Sequence, residues 1–309
     1  MNYAQIKYVL KTLLSIFLIT FLGDKAIFFA LNLVNEQVYS GQGVGKLNQY
    51  MKLKDSVNLL VFGNSKANFH VDNIQLDSNS FNMGIAGRNI VFAATLIKLL
   101  GNKPQILLVQ IDPQYVYDEM YQGEDILSLK SLYNKNSVVK KEFEKLHFDN
   151  YFQDVFCSIS YNSQLSSLLS NYFKPKYDHK TYYGFNPLVA TDAQKKYFIK
   201  KLKAKRKEPC PNTFKLNAIV NNYLIDVKNI AVQKNKNVIF FTAPLYNDYC
   251  KADNEFLAKT MRSNNLIYYD FSDFFKENNS IDFWRDEIHL SNIGADAFTK
   301  GLRAKLFTK

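Results

Sequence analysis

The stretch 56–70 places the strongest local constraint on how this chain can fold. A short apolar run, Leu59–Phe62, ends at Gly63, and Asn64 and Ser65 follow. An apolar run of this length closed by glycine predicts a buried strand that runs into a tight turn, because glycine has no Cβ to clash. Open α/β sheets bind ligands at the carboxyl ends of their strands, so Ser65 is a candidate nucleophile. The alternative is that Ser65 only caps the next helix.

Further short apolar runs alternate with helical patterns on both sides of a long polar segment. Strands are predicted at 80–83, 106–111, 238–242 and 266–269, and helices at 89–100, 216–227 and 255–262. This alternation predicts an α/β fold with a mostly parallel sheet covered on both faces, a three-layer α/β/α arrangement. With 47% hydrophobic residues, the chain is expected to form a packed globule rather than a disordered segment.

The polar segment, about 114–213, is rich in Tyr, Ser, Asn and Lys and has no βα repeat. We expect it to form an inserted, mostly helical cap on a domain that spans 56–309. Within it, residues 195–207 carry a dense group of Lys and Arg. This group either meets an anionic partner or forms a solvated helix face.

The amino end predicts a membrane anchor. Lys7 and Lys11 precede the apolar residues 13–22, and apolar character resumes at 26–34. We interpret 1–35 as an uncleaved signal anchor, with its basic end in the cytoplasm and the catalytic domain on the periplasmic side of the inner membrane. A cleaved signal peptide and an amphipathic helix of a soluble domain are the alternatives. Residues 36–55 are then a linker, and their glycines at 41, 43 and 45 lack the strand that a nucleotide-binding loop needs.

The formal net charge of +11 favours contact with something anionic, such as anionic lipid or acidic glycan. A solvated Lys-rich surface is the alternative. No nucleic-acid motif is visible, so we expect no nucleic-acid partner. The cysteines, Cys157, Cys210 and Cys250, lack metal-ligand spacing, and we expect neither a metal nor a cofactor. Cys210 and Cys250 could pair in an oxidising compartment, or all the thiols stay free.

One histidine lies in a setting that suggests catalysis. Asp286 precedes His289 by three residues, and Leu290 and Ser291 follow. A carboxylate at this distance can orient the imidazole while its other nitrogen takes a proton from a serine. Ser65, Asp286 and His289 therefore supply the parts of a hydrolytic triad.

These residues resemble the blocks of the SGNH (GDSL-like) hydrolase superfamily. The blocks are Gly63-Asn64-Ser65, the glycine turn at 84–87, and Asp286-x-x-His289 followed by Leu-Ser. The anchored, capped form is similar to envelope SGNH proteins that act on or acylate cell-surface polysaccharides. The resemblance covers about 56–112 and 214–306 and implies an SGNH/flavodoxin-like fold. It also implies Ser65 as nucleophile, His289 as base, Asp286 as its partner, and the backbone N–H groups of Ser65 and Gly87 as oxyanion donors.

The chain departs from that family pattern at two positions. Asn64 replaces the acid that precedes the nucleophile, and Gln114 stands where an asparagine oxyanion donor is expected. Loss of one such donor typically costs about 100- to 1000-fold in rate. Arg88 and Asn89 follow the glycine turn and are candidates for substrate contact, although Asn89 could instead cap the next helix.

His70 and the aromatic pair Phe283 and Trp284 are further candidates near the predicted site. His70 could line the pocket, and the aromatic pair could stack on a sugar ring, but a packing role is the stronger expectation for all of them.

The leading hypothesis is a membrane-anchored serine esterase or O-acyltransferase that acts on envelope glycans through an acyl-enzyme. The alternative is a non-catalytic envelope protein of the same fold that binds a glycan or a partner.

Overall fold

The structure is a computed structural model and describes residues 2–204, 210–211 and 213–307. Its contacts divide the chain into two compact units. The first, which we call the anchor unit, comprises Met1–Asn48 and Leu127–Tyr177. The second, the sheet unit, comprises Gln49–Ile126 and Asp178–Lys309.

The described part of the sheet unit contains a five-stranded sheet in which every neighbouring pair of strands is parallel. The strands are β1 Leu59–Phe62, β2 Ser80–Asn82, β3 Gln105–Gln110, β4 Lys236–Thr242 and β5 Ile267–Asp270. Their order is β2-β1-β3-β4-β5. Every residue of β1 is buried, which suits the continuous apolar runs of parallel strands. The predicted α/β class is confirmed, and the strand bounds differ from the prediction by at most two residues.

Helices make up most of the remaining described structure. The α-helices are α1 Tyr3–Gln37, α2 Lys46–Leu53, α3 Ser65–His70, α4 Asn73–Leu76, α5 Ile90–Lys98, α6 Pro113–Val116, α7 Ser137–Lys145, α8 Tyr151–Val155, α9 Leu165–Phe173, α10 Asp192–Ala204, α11 Ala218–Gln233, α12 Lys251–Ser263 and α13 Asn292–Phe307. Gly41–Gly45 forms a π-helical turn, and Glu124–Leu132, Cys157–Tyr161 and Ile281–Phe283 are 3₁₀ helices.

One apolar core cluster of the sheet unit joins β1, β3 and β4 to α3 and α13. Trp284 is fully buried in it, and its indole Nε1 donates to Asn279 Oδ1 at 2.7 Å. Phe283 packs against the same cluster. Burial of a side chain of this size contributes roughly 2–3 kcal/mol. Phe283 and Trp284 are therefore packing residues and not a sugar-stacking surface.

Helix α1 has two parts with different surroundings. Apolar side chains between residues 13 and 22 are largely exposed. Further along, Phe28, Leu31 and Val34 pack against a buried cluster of Val38, Val44, Tyr161 and Leu168. Among the described residues, α1 is the helix long and apolar enough to cross a membrane, by length and composition. It is therefore a candidate anchor.

Residues 36–55 differ from the expected linker. They contain the π-helical turn and α2, because the apolar side chains there are buried rather than solvated. Tyr50 is fully buried, packs edge-on against Phe62 and donates its hydroxyl to the Leu96 carbonyl at 2.7 Å.

The segment 114–213, expected to be one inserted cap, contains helices, turns and loops but no strands among its described residues. Its parts belong to different units, however. Leu127–Tyr177 clusters with the first 48 residues, whereas the portions on either side cluster with the sheet. Helix α10 ends at Ala204, so the basic residues 205–207 of the predicted basic group lie outside the described residues.

Candidate active site

The turn after β1 holds Ser65 at the carboxyl edge of the sheet. Gly63 has φ +140°, and a Cβ there would lie 2.7 Å from Gln110 Cβ and 2.9 Å from Ala67 Cβ. Only glycine fits this turn without moving its neighbours. Asn64 is the N-cap of α3, since its side chain accepts from the Lys66 N–H at 2.9 Å. Ser65 is thus the first residue of the helix and not its cap, and its N–H has no intrahelical acceptor.

His289 comes from the loop before α13 and reaches Ser65 across the sheet unit. Its Nε2 lies 2.8 Å from Ser65 Oγ, although the two residues are 224 positions apart. Its Nδ1 lies 3.0 and 3.1 Å from the two oxygens of Asp286. The structure therefore brings together the serine, imidazole and carboxylate that the sequence singled out. A neutral imidazole in this setting donates from Nδ1 to the carboxylate and accepts the serine proton at Nε2.

Asp286 also fixes the shape of the loop that carries His289. Its Oδ1 accepts from the backbone N–H groups of Ile288 and His289, each at 3.0 Å. Burial acts to raise the pKa of Asp286, but these bonds and the His289 ring outweigh it and hold that pKa below its usual value. The carboxylate is therefore ionised at neutral pH, as an imidazole-orienting partner must be.

His70 holds the loop that carries His289 through a buried hydrogen bond and does not line the cavity next to Ser65. It is fully buried, and its Nε2 accepts from the Leu290 N–H at 3.0 Å. Its ring centroid lies 6.2 Å from that of His289, at a steep angle. Burial, reinforced by the neighbouring His289 and Lys66, places the pKa of His70 well below its usual value. A neutral His70 is required here, because its Nε2 acts as an acceptor.

A buried ion pair next to Ser65 was not predicted from the sequence. Lys66 Nζ lies 2.7 Å from Asp112 Oδ1, and both residues are at least 93% buried. Asn64 Nδ2 donates to Asp112 Oδ2 at 2.7 Å, and Gln110 Nε2 donates to Oδ1 at 2.9 Å. Gln110 Oε1 in turn accepts from the Asn64 N–H. This network ties the serine turn to the end of β3, so Asn64 is a structural residue here.

Ser65 lines a cavity of about 330 Å³ at the carboxyl edge of the sheet. Gly87 and Gln114 line it as well, so these two predicted residues share the cavity with the serine. Gln114 is exposed, and its function as an oxyanion donor stays a prediction.

Arg88 and Asn89 are not among the described residues that line this cavity. Arg88 donates to the Gly87 carbonyl at 3.1 Å, and burial lowers its pKa. Asn89 occupies the N-cap position of α5 without a side-chain capping bond. Asp125 caps the helix instead, because its Oδ2 accepts from the N–H groups of Asn89 and Phe92.

Cys210 and Cys250 form a disulfide, so the pairing alternative applies and Cys157 is a free thiol. Cys250 and Pro211, the residue after Cys210, both line the cavity. The disulfide therefore fixes one side of it. In the described residues, no group of three or more His, Cys, Asp or Glu side chains is arranged to hold a metal ion.

Comparison with known proteins adds no assignment, since no family model and no curated protein matches this chain. The relation to SGNH hydrolases therefore rests on the quoted residues and stays a prediction.

Proposed function

We propose that this chain is a membrane-anchored serine esterase or O-acyltransferase that acts on acylated glycans of the cell envelope. The observation that carries the proposal is the connected series of contacts from Ser65 Oγ to His289 Nε2 and from His289 Nδ1 to Asp286. These contacts have the geometry that activates a serine hydroxyl.

In the proposed reaction, Ser65 Oγ attacks the ester carbonyl and passes its proton to His289 Nε2. The tetrahedral intermediate collapses to an acyl-serine, and the leaving alkoxide takes the proton back from His289. Water or a sugar hydroxyl then loses its proton to His289 and attacks the acyl-serine. The second tetrahedral intermediate releases an acid or a new ester as its bond to Ser65 Oγ breaks, and Oγ takes the proton from His289. The N–H groups of Ser65 and Gly87 are the proposed oxyanion donors, joined by Gln114.

The order of the strands supports a more specific assignment of the fold. The order β2-β1-β3-β4-β5 is the flavodoxin-like order, in which ligands bind where the direction reverses between β1 and β3. Ser65 follows β1, and Asp112 follows β3. We therefore propose a three-layer α/β/α domain of SGNH type.

Two observations support an exported domain. Lys7 and Lys11 stand before the exposed apolar part of α1, which favours a cytoplasmic amino end at the inner membrane. The Cys210–Cys250 disulfide suits an oxidising compartment such as the periplasm. The net charge of +11 is compatible with an anionic envelope surface.

The test is covalent capture of the serine. Full-length protein is treated with p-nitrophenyl acetate, and the acyl adduct is located by mass spectrometry of peptides. We expect acetylation at Ser65 in the wild type and none in Ser65→Ala. His289→Gln keeps the hydroxyl but removes its base, so its rate of adduct formation should fall at least 100-fold. His179→Gln, at a partly exposed histidine that does not line the cavity, is the matched control and should react like the wild type.

Addition of a sugar alcohol to the preformed acyl-serine then distinguishes transfer from hydrolysis. Formation of an acetylated sugar indicates a transferase, and release of acetate alone indicates an esterase. Absence of any Ser65 adduct, with glycan binding retained, would overturn the catalytic proposal and favour the non-catalytic binding protein.

A further inference from the structure

The wall of the Ser65 cavity is acidic, although the chain as a whole carries a net charge of +11. The charged residues that line it in the described structure are Asp112, Asp248, Asp253, Glu287 and Lys66. Lys66 is paired with Asp112, and acidic side chains outnumber the basic one among the residues that line the cavity. A cavity of this kind attracts cations.

Asp253, in the first turn of α12, is a carboxylate of this wall that has no Lys or Arg partner among the described residues. In the described part of the chain, its side chain contacts the Tyr117 hydroxyl at 3.3 Å and no Lys or Arg within 4.0 Å. Burial and the nearby charge of Asp248 raise the pKa of Asp253 to about 6. Asp248 differs, because Lys251 Nζ lies 2.7 Å from it.

Asn254, the next residue along α12, gives a second and independent indication of a ligand. Its side chain lines the cavity and is 96% buried. Its Nδ2 donates to Asp248 and to Ser272 Oγ, whereas its Oδ1 has no hydrogen-bond partner in the described structure. A buried amide oxygen without a donor is costly, so a ligand that brings an N–H group would be favoured here.

We propose that Asp253 and Asn254 form a subsite for a protonated primary amine of the substrate. The ammonium group supplies the charge that Asp253 lacks and a donor for Asn254 Oδ1, and the Tyr117 hydroxyl offers a further acceptor. The inference rests on the proposed function, since it assigns the substrate of the Ser65 cavity as an ester in which the acyl group or the acceptor sugar carries an ammonium group.

Matched pairs of ester substrates test whether the acyl group carries the ammonium. The p-nitrophenyl esters of 6-aminohexanoate and heptanoate differ in an ammonium against a methyl end, and 3-aminopropanoate and butanoate form a shorter pair. We expect the wild type to have a higher kcat/KM for the cationic member of at least one pair. In Asp253→Asn, the ratio of cationic to neutral kcat/KM should fall about tenfold, as expected for loss of a charged hydrogen bond. Glu255→Gln removes a charge from an exposed position of α12, two residues from Asp253, and should keep the wild-type ratio.

A second comparison tests whether the acceptor carries the ammonium. It uses D-glucosamine and D-glucose as acceptors of acetyl groups from the acyl-serine. A preference for glucosamine that Asp253→Asn removes places the ammonium on the acceptor. A preference confined to the ester pairs places it on the acyl group.

Binding without turnover separates this inference from the proposed chemistry. Ligand-observed NMR of 6-aminohexanamide with full-length Ser65→Ala should detect contact that the added Asp253→Asn change weakens about tenfold and the added Glu255→Gln change does not. If no ester acylates Ser65 but this binding persists, the catalytic proposal fails and the subsite stands. If Asp253→Asn changes neither the substrate ratios nor the binding, the subsite is wrong. The pH dependence of the wild-type ratio, described below, needs no variant and remains decisive if Asp253→Asn does not fold.

Discussion

Asp286 has two functions in one carboxylate. It accepts from the Ile288 and His289 N–H groups, which shapes the loop, and it orients the imidazole of His289 through Nδ1. The conformation of the loop and the orientation of the His289 imidazole thus depend on the same residue. A substitution that keeps the size of Asp286 therefore separates orientation from packing.

Asp286→Asn should reduce kcat for ester turnover by about 10³- to 10⁴-fold, because an amide favours the wrong imidazole tautomer. The Asn oxygen can still accept from the loop N–H groups, so we expect the thermal midpoint to change by only a few degrees. Steady-state kinetics and thermal unfolding measure the two effects. The matched control is Asp282→Asn, which removes an exposed carboxylate nearby and should keep kcat within about twofold. Activity of Asp286→Asn within tenfold of the wild type would exclude the triad.

The ammonium subsite predicts a pH dependence. Since the pKa of Asp253 is raised to about 6, its carboxylate is charged above that pH and protonated below it. The wild-type ratio of cationic to neutral kcat/KM should therefore fall as the pH is lowered from 7.5 to 5, whereas effects on the triad cancel in the ratio. The groups around Asp253 are Asp248, Asp270 and Tyr117, and the carboxylates among them add to the negative charge. A ratio that is flat over this range would contradict the subsite.

The sequence pointed to the three residues that the structure brings into contact, Ser65, His289 and Asp286, but not to their buried neighbours. Ser65 and His289 were found because a glycine turn and an Asp-x-x-His pattern have recognisable spacing. Lys66 and Asp112 were missed, since a lysine is ordinarily exposed and nothing in the spacing links residues that far apart. Asp253 was missed for a similar reason, because its position in the wall of the Ser65 cavity depends on how α12 packs.

The apolar pattern of the sequence located the secondary-structure elements best where consecutive side chains are buried. The strands were located within two residues, since a short apolar run has few alternatives to a buried strand. Helix α2 was missed because its polar residues suggested a linker, and its core residue Tyr50 is held by contacts with Phe62 and Leu96 that a local pattern does not contain. The end of α11 was placed six residues early, because the apolar stripe weakens beyond Val227.

The disulfide joins the segment before α11 to the start of α12 and closes a loop of 40 positions. The chain-entropy model predicts that a loop of this length contributes about 4 kcal/mol, and native disulfides typically contribute about 2–5 kcal/mol. We expect reductant to lower the urea midpoint of the wild type by an amount that corresponds to this loss in the free energy of unfolding. Cys210→Ser/Cys250→Ser should start at the lower midpoint and show no response to reductant. An equal response to reductant in both proteins would point to Cys157 instead.

The division into two units was the part of the whole molecule furthest from expectation. The sequence suggested an anchor, a linker, and a domain with one cap, whereas Leu127–Tyr177 clusters with α1. The contacts responsible are buried and specific. Asp24 of α1 accepts from the N–H groups of Cys157 and Ser158, and Tyr161 donates to Asn32 Oδ1 at 2.6 Å. No local pattern joins residues more than 120 positions apart.

Two truncations test the anchor. Deletion of residues 2–22 removes the exposed apolar part of α1 but keeps Asp24 and Phe28, so we expect a folded protein that leaves the membrane fraction. Deletion of residues 2–37 also removes the packed part and should lower the thermal midpoint or prevent folding of the anchor unit. Cell fractionation and thermal unfolding are the measurements. Retention of the shorter deletion in washed membranes would show that another surface binds lipid.

The continuity of α1 has a consequence for where the anchor unit works. The helix passes from its exposed apolar part, which ends at Leu22, to its packed part at Phe28 without a break. At 1.5 Å per residue these positions lie about 9 Å apart along the axis. In the anchoring that we propose, a continuous helix therefore holds the anchor unit at the level of the lipid headgroups. The unit cannot move away from the bilayer as a domain on a flexible linker could.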